Sequence, residues 1–226
     1  MKNPEREKQL AAKEAVRFIG NDQVVGLGSG STAFFALVEI GELVKKGLRI
    51  RGVPTSEKTR IIAESLNIPL VDIHKVDSID ITIDGADEFD RDLALIKGGG
   101  GALLREKVVA ALTKNQIIIA DSFKKVEKLG RFKIPVEVIP FASTYVINQL
   151  KNMGGKGTIR QQGDTPYLTD QGNYIVDTDF GLIDNPVILG NRMNCIVGLV
   201  EHGLFVNLVD RVIMGTGDTT ETYLPK

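Results

Sequence analysis

The sequence predicts an α/β protein: an open, mostly parallel sheet with helices on both faces, accompanied by a smaller α+β unit. Three observations predict it. Strand-like and helix-like patterns alternate through the first half of the chain. A glycine-rich turn, Gly26-Leu27-Gly28-Ser29-Gly30, stands where the first strand gives way to a helix. After Leu129 the order becomes strand, helix, strand, strand, helix, which suits a small α+β domain.

The elements follow in order. Residues 4–19 read as a helix and Val24 to Gly28 as a buried strand. A helix runs from Thr32 to Lys46 and stops at Gly47, as a helix does at a glycine. Arg49 to Val53 is a short strand and Glu57 to Leu66 a helix. Leu70 to Ile73, Ile79 to Ile83 and Gln116 to Ala120 read as buried strands, with a helix from Gly101 to Leu112 between the last two. GRFKIP is a junction, followed by a strand at Val136 to Ile139 and an amphipathic helix from Phe141 to Met153. Strands are expected around Thr158 to Gln161 and Tyr174 to Asp179. Pro186 to Ile196 is a helix with Asn185 as its N-cap and Pro186 at its first position. Leu204 to Met214 is apolar and returns to the first sheet. Residues 1–129 and 204–226 therefore form a Rossmann-like unit, and 130–203 a ferredoxin-like one expected to contribute to oligomerisation.

Composition narrows the function. A chain of 226 residues with 42% hydrophobic and 25% charged residues is ordinary for a soluble globular protein. A net charge of −1 and no polybasic run leave nothing to attract nucleic acid. The charged N-terminus lacks a signal peptide's apolar core, and no apolar run approaches the roughly 18 residues that cross a bilayer. The single cysteine, Cys195, is expected to be buried and structural, in keeping with a reducing cytoplasm.

Chemistry concentrates between Ile81 and Lys107, ITIDGADEFDRDLALIKGGGGALLREK. Asp84, Gly85, Ala86 and Asp87 follow the end of a strand, where open α/β sheets place their ligands. Lys97 precedes four consecutive glycines, Gly98 to Gly101, which cost backbone entropy that structure alone seldom requires. Carboxylates, a cation and bare backbone N–H groups suit proton transfer beside a developing oxyanion. The alternative for the acids is a solvated capping cluster. Metal binding fits poorly, because the spacing is not that of a calcium loop and His74 and His202 lie in unrelated segments. Helical periodicity places Glu106 off the core face marked by Leu104. Lys97 and Lys124, taken singly, are ordinary surface lysines.

The turn at Gly26 to Thr32 makes an anion site from helix N–H groups and hydroxyls, suited to a monophosphate. It is not a nucleotide loop. No lysine follows the last glycine, Ser31 stands where a dinucleotide motif has its third glycine, and no acid ends the second strand.

In order and spacing, GLGSGSTA, PTSEKT, DGADEFD, KGGGGALLREK and ADSFKKV resemble the A-type ribose-5-phosphate isomerases. PVILGNRMNCIVGLVEHGLF resembles that family's second-domain helix and its exit, so nearly the whole chain is covered. Ser29 replaces a frequent threonine and keeps the hydroxyl; Gly101 replaces a frequent alanine. The resemblance implies interconversion of ribose 5-phosphate and ribulose 5-phosphate through an enediolate, in the non-oxidative pentose phosphate pathway. Glu106 is then the base, with Asp84, Asp87 and Lys97 as its catalytic companions. Ser29, Gly30, Ser31, Thr32 and Lys124 hold the phosphate. Asp84, Gly85, Ala86, Asp87, Lys97, Gly98, Gly99 and Gly100 hold the sugar. No metal or other cofactor is required, and a cytoplasmic homodimer or homotetramer is expected. A sugar-phosphate sensor would need a DNA-binding segment, and an amino-sugar phosphate isomerase would want a histidine in the site. Neither fits.

Overall fold

The computed structural model describes residues 3–225; residues 1, 2 and 226, at the ends of the larger predicted unit, lie outside them. The strands are β1 (Gln23–Leu27), β2 (Ile50–Pro54), β3 (Ile81–Gly85), β4 (Glu88–Phe89), β5 (Leu95–Ile96), β6 (Gln116–Asp121), β7 (Ile134–Val138) and β8 (Lys156–Ile159). They continue as β9 (Gln161–Gln162), β10 (Thr165–Pro166), β11 (Tyr174–Asp179), β12 (Leu199–His202), β13 (Leu204–Phe205), β14 (Arg211–Thr216) and β15 (Thr219–Tyr223). The helices are α1 (Pro4–Ala15), α2 (Ser31–Lys45), α3 (Glu57–Ser65), α4 (Leu103–Leu112), α5 (Ser143–Asn152) and α6 (Pro186–Asn194).

The main sheet has the order β15-β14-β6-β3-β1-β2 and is parallel except for the β14–β15 hairpin. Its central strands are apolar on both sides, as strands covered on both faces must be. Residues of β6 alternate between two cores: Ile117 and Ile119 pack with α1, α2 and α3, whereas Ile118 and Ala120 face Phe89, Leu95, Ala110 and Phe205. Helices thus cover both faces. The Glu7 carboxylate of α1 is fully buried and accepts N–H bonds from Ser122 and Gly217, each at 2.9 Å, so the first helix is tied to the ends of β6 and β14.

The second sheet has the order β12-β7-β11-β8, every neighbour antiparallel. With α5 after β7 and α6 after β11, this is the ferredoxin-like arrangement. Val146 and Leu150 of α5 and Met193 of α6 fill its core against Ile134, Val136, Val138 and Val176. Asn185 caps α6 by accepting from the Ile188 N–H at 2.9 Å, with Pro186 in the first turn, as the sequence predicts.

Three expectations are corrected. Leu70 to Ile73 is not a strand: Leu70 makes one bridge to Gly52, then the Asp72 carboxylate accepts from the His74 N–H and turns the chain into a 3₁₀ turn. Of the apolar tail, only the part from Arg211 joins the main sheet, while Leu204–Phe205 pairs with β5. Cys195 is exposed, because it lies at the C-cap of α6, beyond the buried Gly190 and Met193. No helix among the described residues is long and apolar enough to cross a membrane.

Candidate active site

Strands β1 and β3 are neighbours, and the chain leaves β1 for β2 on one side before returning to β3 on the other. Loops diverge above such a point and leave a crevice at the C-terminal strand ends. The backbones are close there: a Cβ on Gly28 would stand 2.5 Å from Asp84 Cα, so only glycine fits. A cleft opens above this point, lined by Ser29 to Thr32, Gly85 to Asp87, Lys97 to Gly100, Glu106 and Lys124.

One end of the cleft is the start of α2. Gly30, at φ 98°, turns the chain, and no side chain among the described residues caps the helix. The first N–H groups of α2 are therefore open to an anion. The Thr32 hydroxyl lines the cleft without a protein partner among the described residues. Ser31 Oγ accepts from Lys8 Nζ at 3.2 Å. The Ser29 hydroxyl faces away, 2.8–2.9 Å from those of Thr55, Ser56 and Thr59. Ser29 therefore shapes the turn with its backbone.

At the other end lies a buried charge cluster. Asp84, Lys97 and Glu106 are 1%, 2% and 6% exposed. Lys97 Nζ lies 2.9 Å from Asp84 Oδ2 and 3.3 Å from Glu106 Oε1, and donates to the Gly85 carbonyl at 2.5 Å. Asp84 Oδ1 accepts from the N–H groups of Ser29 (3.0 Å) and Gly85 (2.7 Å). Asp87 Oδ2 accepts from the Gly99 N–H at 2.7 Å. Burial opposes the charge of Lys97, but Asp84 and Glu106 outweigh it and hold the ammonium above the ordinary lysine range. Burial pushes the Glu106 carboxyl well above the usual carboxylate range; Lys97 pulls it down, while Asp84 and Asp87 push it up. Glu106 Oε2 has no hydrogen-bond partner among the described residues. A carboxyl of raised pKa with one free oxygen can take and return a proton near neutral pH.

The family described as ribose 5-phosphate isomerase A (phosphoriboisomerase A) matches residues 51–219. The ribose-5-phosphate isomerase A of Sphingopyxis alaskensis is 46% identical over 98% of this chain and 97% of its own. That of Streptococcus gordonii is 48% identical over 92% of each. A solved D-ribose-5-phosphate isomerase in complex with phospho-erythronic acid superposes with a TM-score of 0.96, at 39% identity, over 98% of this chain and 99% of its own. The Neisseria gonorrhoeae ribose 5 phosphate isomerase A gives 0.94 at 36% identity, over 100% and 99%. The chain belongs to the ribose 5-phosphate isomerase A family.

Within this family member, every residue that the resemblance assigns to the site lines the cleft except Asp84, which lies directly beneath it, hydrogen-bonded to Ser29, Gly85 and Lys97. The position of Glu106 corrects the sequence reading. The buried face of α4 is Leu103, Glu106, Val109 and Ala110, so Glu106 continues an apolar stripe, and Leu104 is the residue turned aside. Lys97 is likewise not a surface lysine. His74 is exposed, and His202 is buried beside Lys107 and Glu201, away from the cleft. Sequence reasoning missed the hydroxyl cluster of Thr55, Ser56 and Thr59, although Ser56 announces itself as the N-cap of α3. It also missed Arg160, just after β8, and Tyr167, just after β10, which reach the glycine loop from outside the main sheet and carry no local signal.

Proposed function

We propose that the cleft interconverts D-ribose 5-phosphate and D-ribulose 5-phosphate, with Glu106 as the base that moves a proton between carbons 1 and 2. The observation that carries this reading is the buried trio in which Lys97 bridges Asp84 and Glu106. In the open-chain sugar, Glu106 takes the proton from carbon 2, and the electron pair moves into a carbon 1–carbon 2 double bond as oxygen 1 becomes negative. The Lys97 ammonium and the N–H groups of the glycine loop offset that charge. Asp87, which lines the cleft, holds the sugar hydroxyls, Asp84 steadies Lys97 from beneath, and the hydroxyl proton of oxygen 2 passes to oxygen 1. Glu106 returns its proton to carbon 1, leaving the ketone at carbon 2. Gly30, Ser31, Thr32 and Lys124 take the phosphate, on a turn that Ser29 holds through its N–H and hydroxyl bonds. Incubation with ribose 5-phosphate in deuterated water tests the mechanism: ribulose 5-phosphate should form with solvent deuterium at carbon 1. Deuterium at carbon 1 would exclude hydride transfer, a wholly deuterium-free product would arise from hydride transfer or from direct return of the same proton by Glu106, and no product would overturn the assignment.

The phosphate end supplies a separate expectation. Thr32→Val keeps the branching and removes a hydroxyl, a charge-assisted bond worth about 1.5–3 kcal/mol. KM for ribose 5-phosphate should rise roughly ten- to a hundredfold, since about 1.4 kcal/mol is tenfold, with a smaller change in kcat. An unchanged KM would place the phosphate elsewhere.

The assembly is read as a cytoplasmic homodimer or homotetramer, with the second sheet and its helices supplying contact surface. Phe141 is fully exposed, and Ile139, Tyr145 and Val197 are large apolar side chains exposed near it; the Ile139 N–H donates to Gly198, beside Val197. Clustered apolar exposure of this kind marks association surfaces. Sedimentation at micromolar concentration should show more than one chain per particle, and a monomer would remove this part of the reading.

A further inference from the structure

Three consecutive carbonyls of the glycine loop are held by side chains from outside the main sheet. Arg160, between β8 and β9, donates from Nη1 to the carbonyls of Gly98 (3.1 Å) and Gly99 (3.0 Å). Tyr167, just after β10, donates its hydroxyl to the Gly100 carbonyl at 3.4 Å. Arg160 is itself anchored. Its Nε and Nη2 form a two-pronged pair with Asp177 of β11 at 2.9 and 2.6 Å, and its backbone N–H donates to Ile175. A planar guanidinium paired on one edge has little freedom left, so its remaining donors point in fixed directions.

The consequence lies on the opposite ends of the same peptides. In a planar trans peptide, the carbonyl of one residue and the N–H of the next point in opposite directions. With the Gly98 carbonyl on Arg160, the Gly99 N–H points the other way, and it donates to Asp87, at 2.7 Å in the cleft. With the Gly99 carbonyl also on Arg160, the Gly100 N–H is turned from Arg160 in the same sense. Gly100 lines the cleft, and its N–H has no partner among the described residues. Apart from the turn closed by the Gly101 N–H on the Gly98 carbonyl at 2.9 Å, four glycines in succession could otherwise adopt many peptide orientations, among them ones that present a carbonyl to the developing negative charge.

We propose that Arg160 is a positioning residue of the isomerase site: its grip on the Gly98 and Gly99 carbonyls fixes Asp87 through one peptide and aims the Gly100 N–H at the enediolate oxygen through the next. This rests on the isomerase reading of the cleft. It makes the second sheet a working part of the site, since Asp177 belongs to β11 and Arg160 directly follows β8. The effect should appear in the transition state, where the oxygen is charged, more than in the bound sugar.

The test compares the full-length parent with Arg160→Met, Arg160→Lys and the double variant Arg160→Met/Asp177→Asn, which removes both charges and leaves no carboxylate unpaired. On ribose 5-phosphate, kcat of Arg160→Met should fall roughly ten- to a hundredfold, within the range of a misplaced oxyanion donor, while KM moves less than about threefold. Arg160→Lys, which can reach at most one carbonyl, should recover part of the loss. The acid limb of the pH profile should stay where the parent has it, because Glu106 is not touched. A parental kcat in a folded Arg160→Met protein, or in the folded double variant should the single one not fold, overturns the assignment. So does an acid limb that moves with the substitution, since Arg160 would then act through Glu106. A parent that does not turn over ribose 5-phosphate would overturn the isomerase reading itself, a result distinct from an active parent indifferent to Arg160.

Discussion

Glu106→Gln should fold and bind sugar phosphate as the parent does, yet lose about 10²–10⁴-fold in kcat, the usual contribution of a positioned base. The amide preserves shape: its oxygen can still accept from Lys97, as Glu106 Oε1 does at 3.3 Å, and its nitrogen takes the place of the unpartnered Oε2. Stability should not fall, because the substitution removes a buried charge while Lys97 keeps Asp84 at 2.9 Å. Thermal melting and steady-state rates therefore separate the two roles. A variant within a few-fold of the parent would take the base assignment away from Glu106. In the parent, kcat/KM should decline as pH falls through the raised Glu106 pKa, at higher pH than an ordinary glutamate would give, because the base works only when deprotonated.

Lys97→Met should have the larger overall effect, since it damages chemistry and fold together. The ammonium holds two buried carboxylates and a carbonyl, and removing it leaves negative charge without compensation. Breaking a buried ion pair from one side typically costs about 3–5 kcal/mol. Loss of a donor to the developing oxyanion costs about 10²–10³ in rate. The pH profile carries a separate signature. Lys97 lowers the pKa of Glu106, so its removal should raise that pKa further and move the acid limb to higher pH. An acid limb that stays in place, with little loss of rate, would mean that the ammonium is not coupled to the base.

The sequence made the main sheet legible because its strands are continuous apolar runs and its helices are capped and stopped by recognisable residues. Asn185 with Pro186 and the glycine at the start of α2 are local signals, read from neighbours in the chain. The two-residue strands β4, β5 and β13 were not legible, since pairing over so short a length leaves no period to detect. The burial of Glu106 was misjudged for a different reason. Helix α4 touches the second sheet at β7 and β12 as well as its own, so one face of leucines does not define which side is solvent. Arg160 lay beyond any local reading: its partners Gly98, Gly99 and Asp177 become neighbours only when two sheets meet. The cleft residues were identifiable because carboxylates, a lysine and glycines crowd one segment. Their mutual distances were not, because these depend on strands far apart in the chain.

The buried carboxylate of Glu7 has a consequence for the order in which the molecule can be made. One of its two backbone donors, Gly217, lies 210 residues further along the chain. A ribosome delivers α1 well before the β14–β15 hairpin, so this helix emerges before the surface that receives its acid exists. The second sheet, by contrast, has all of its strands between Ile134 and His202, and its pairings are complete before β14 appears. During synthesis the later-encoded small sheet can close first, and helix α1, translated before it, is locked in place only afterwards.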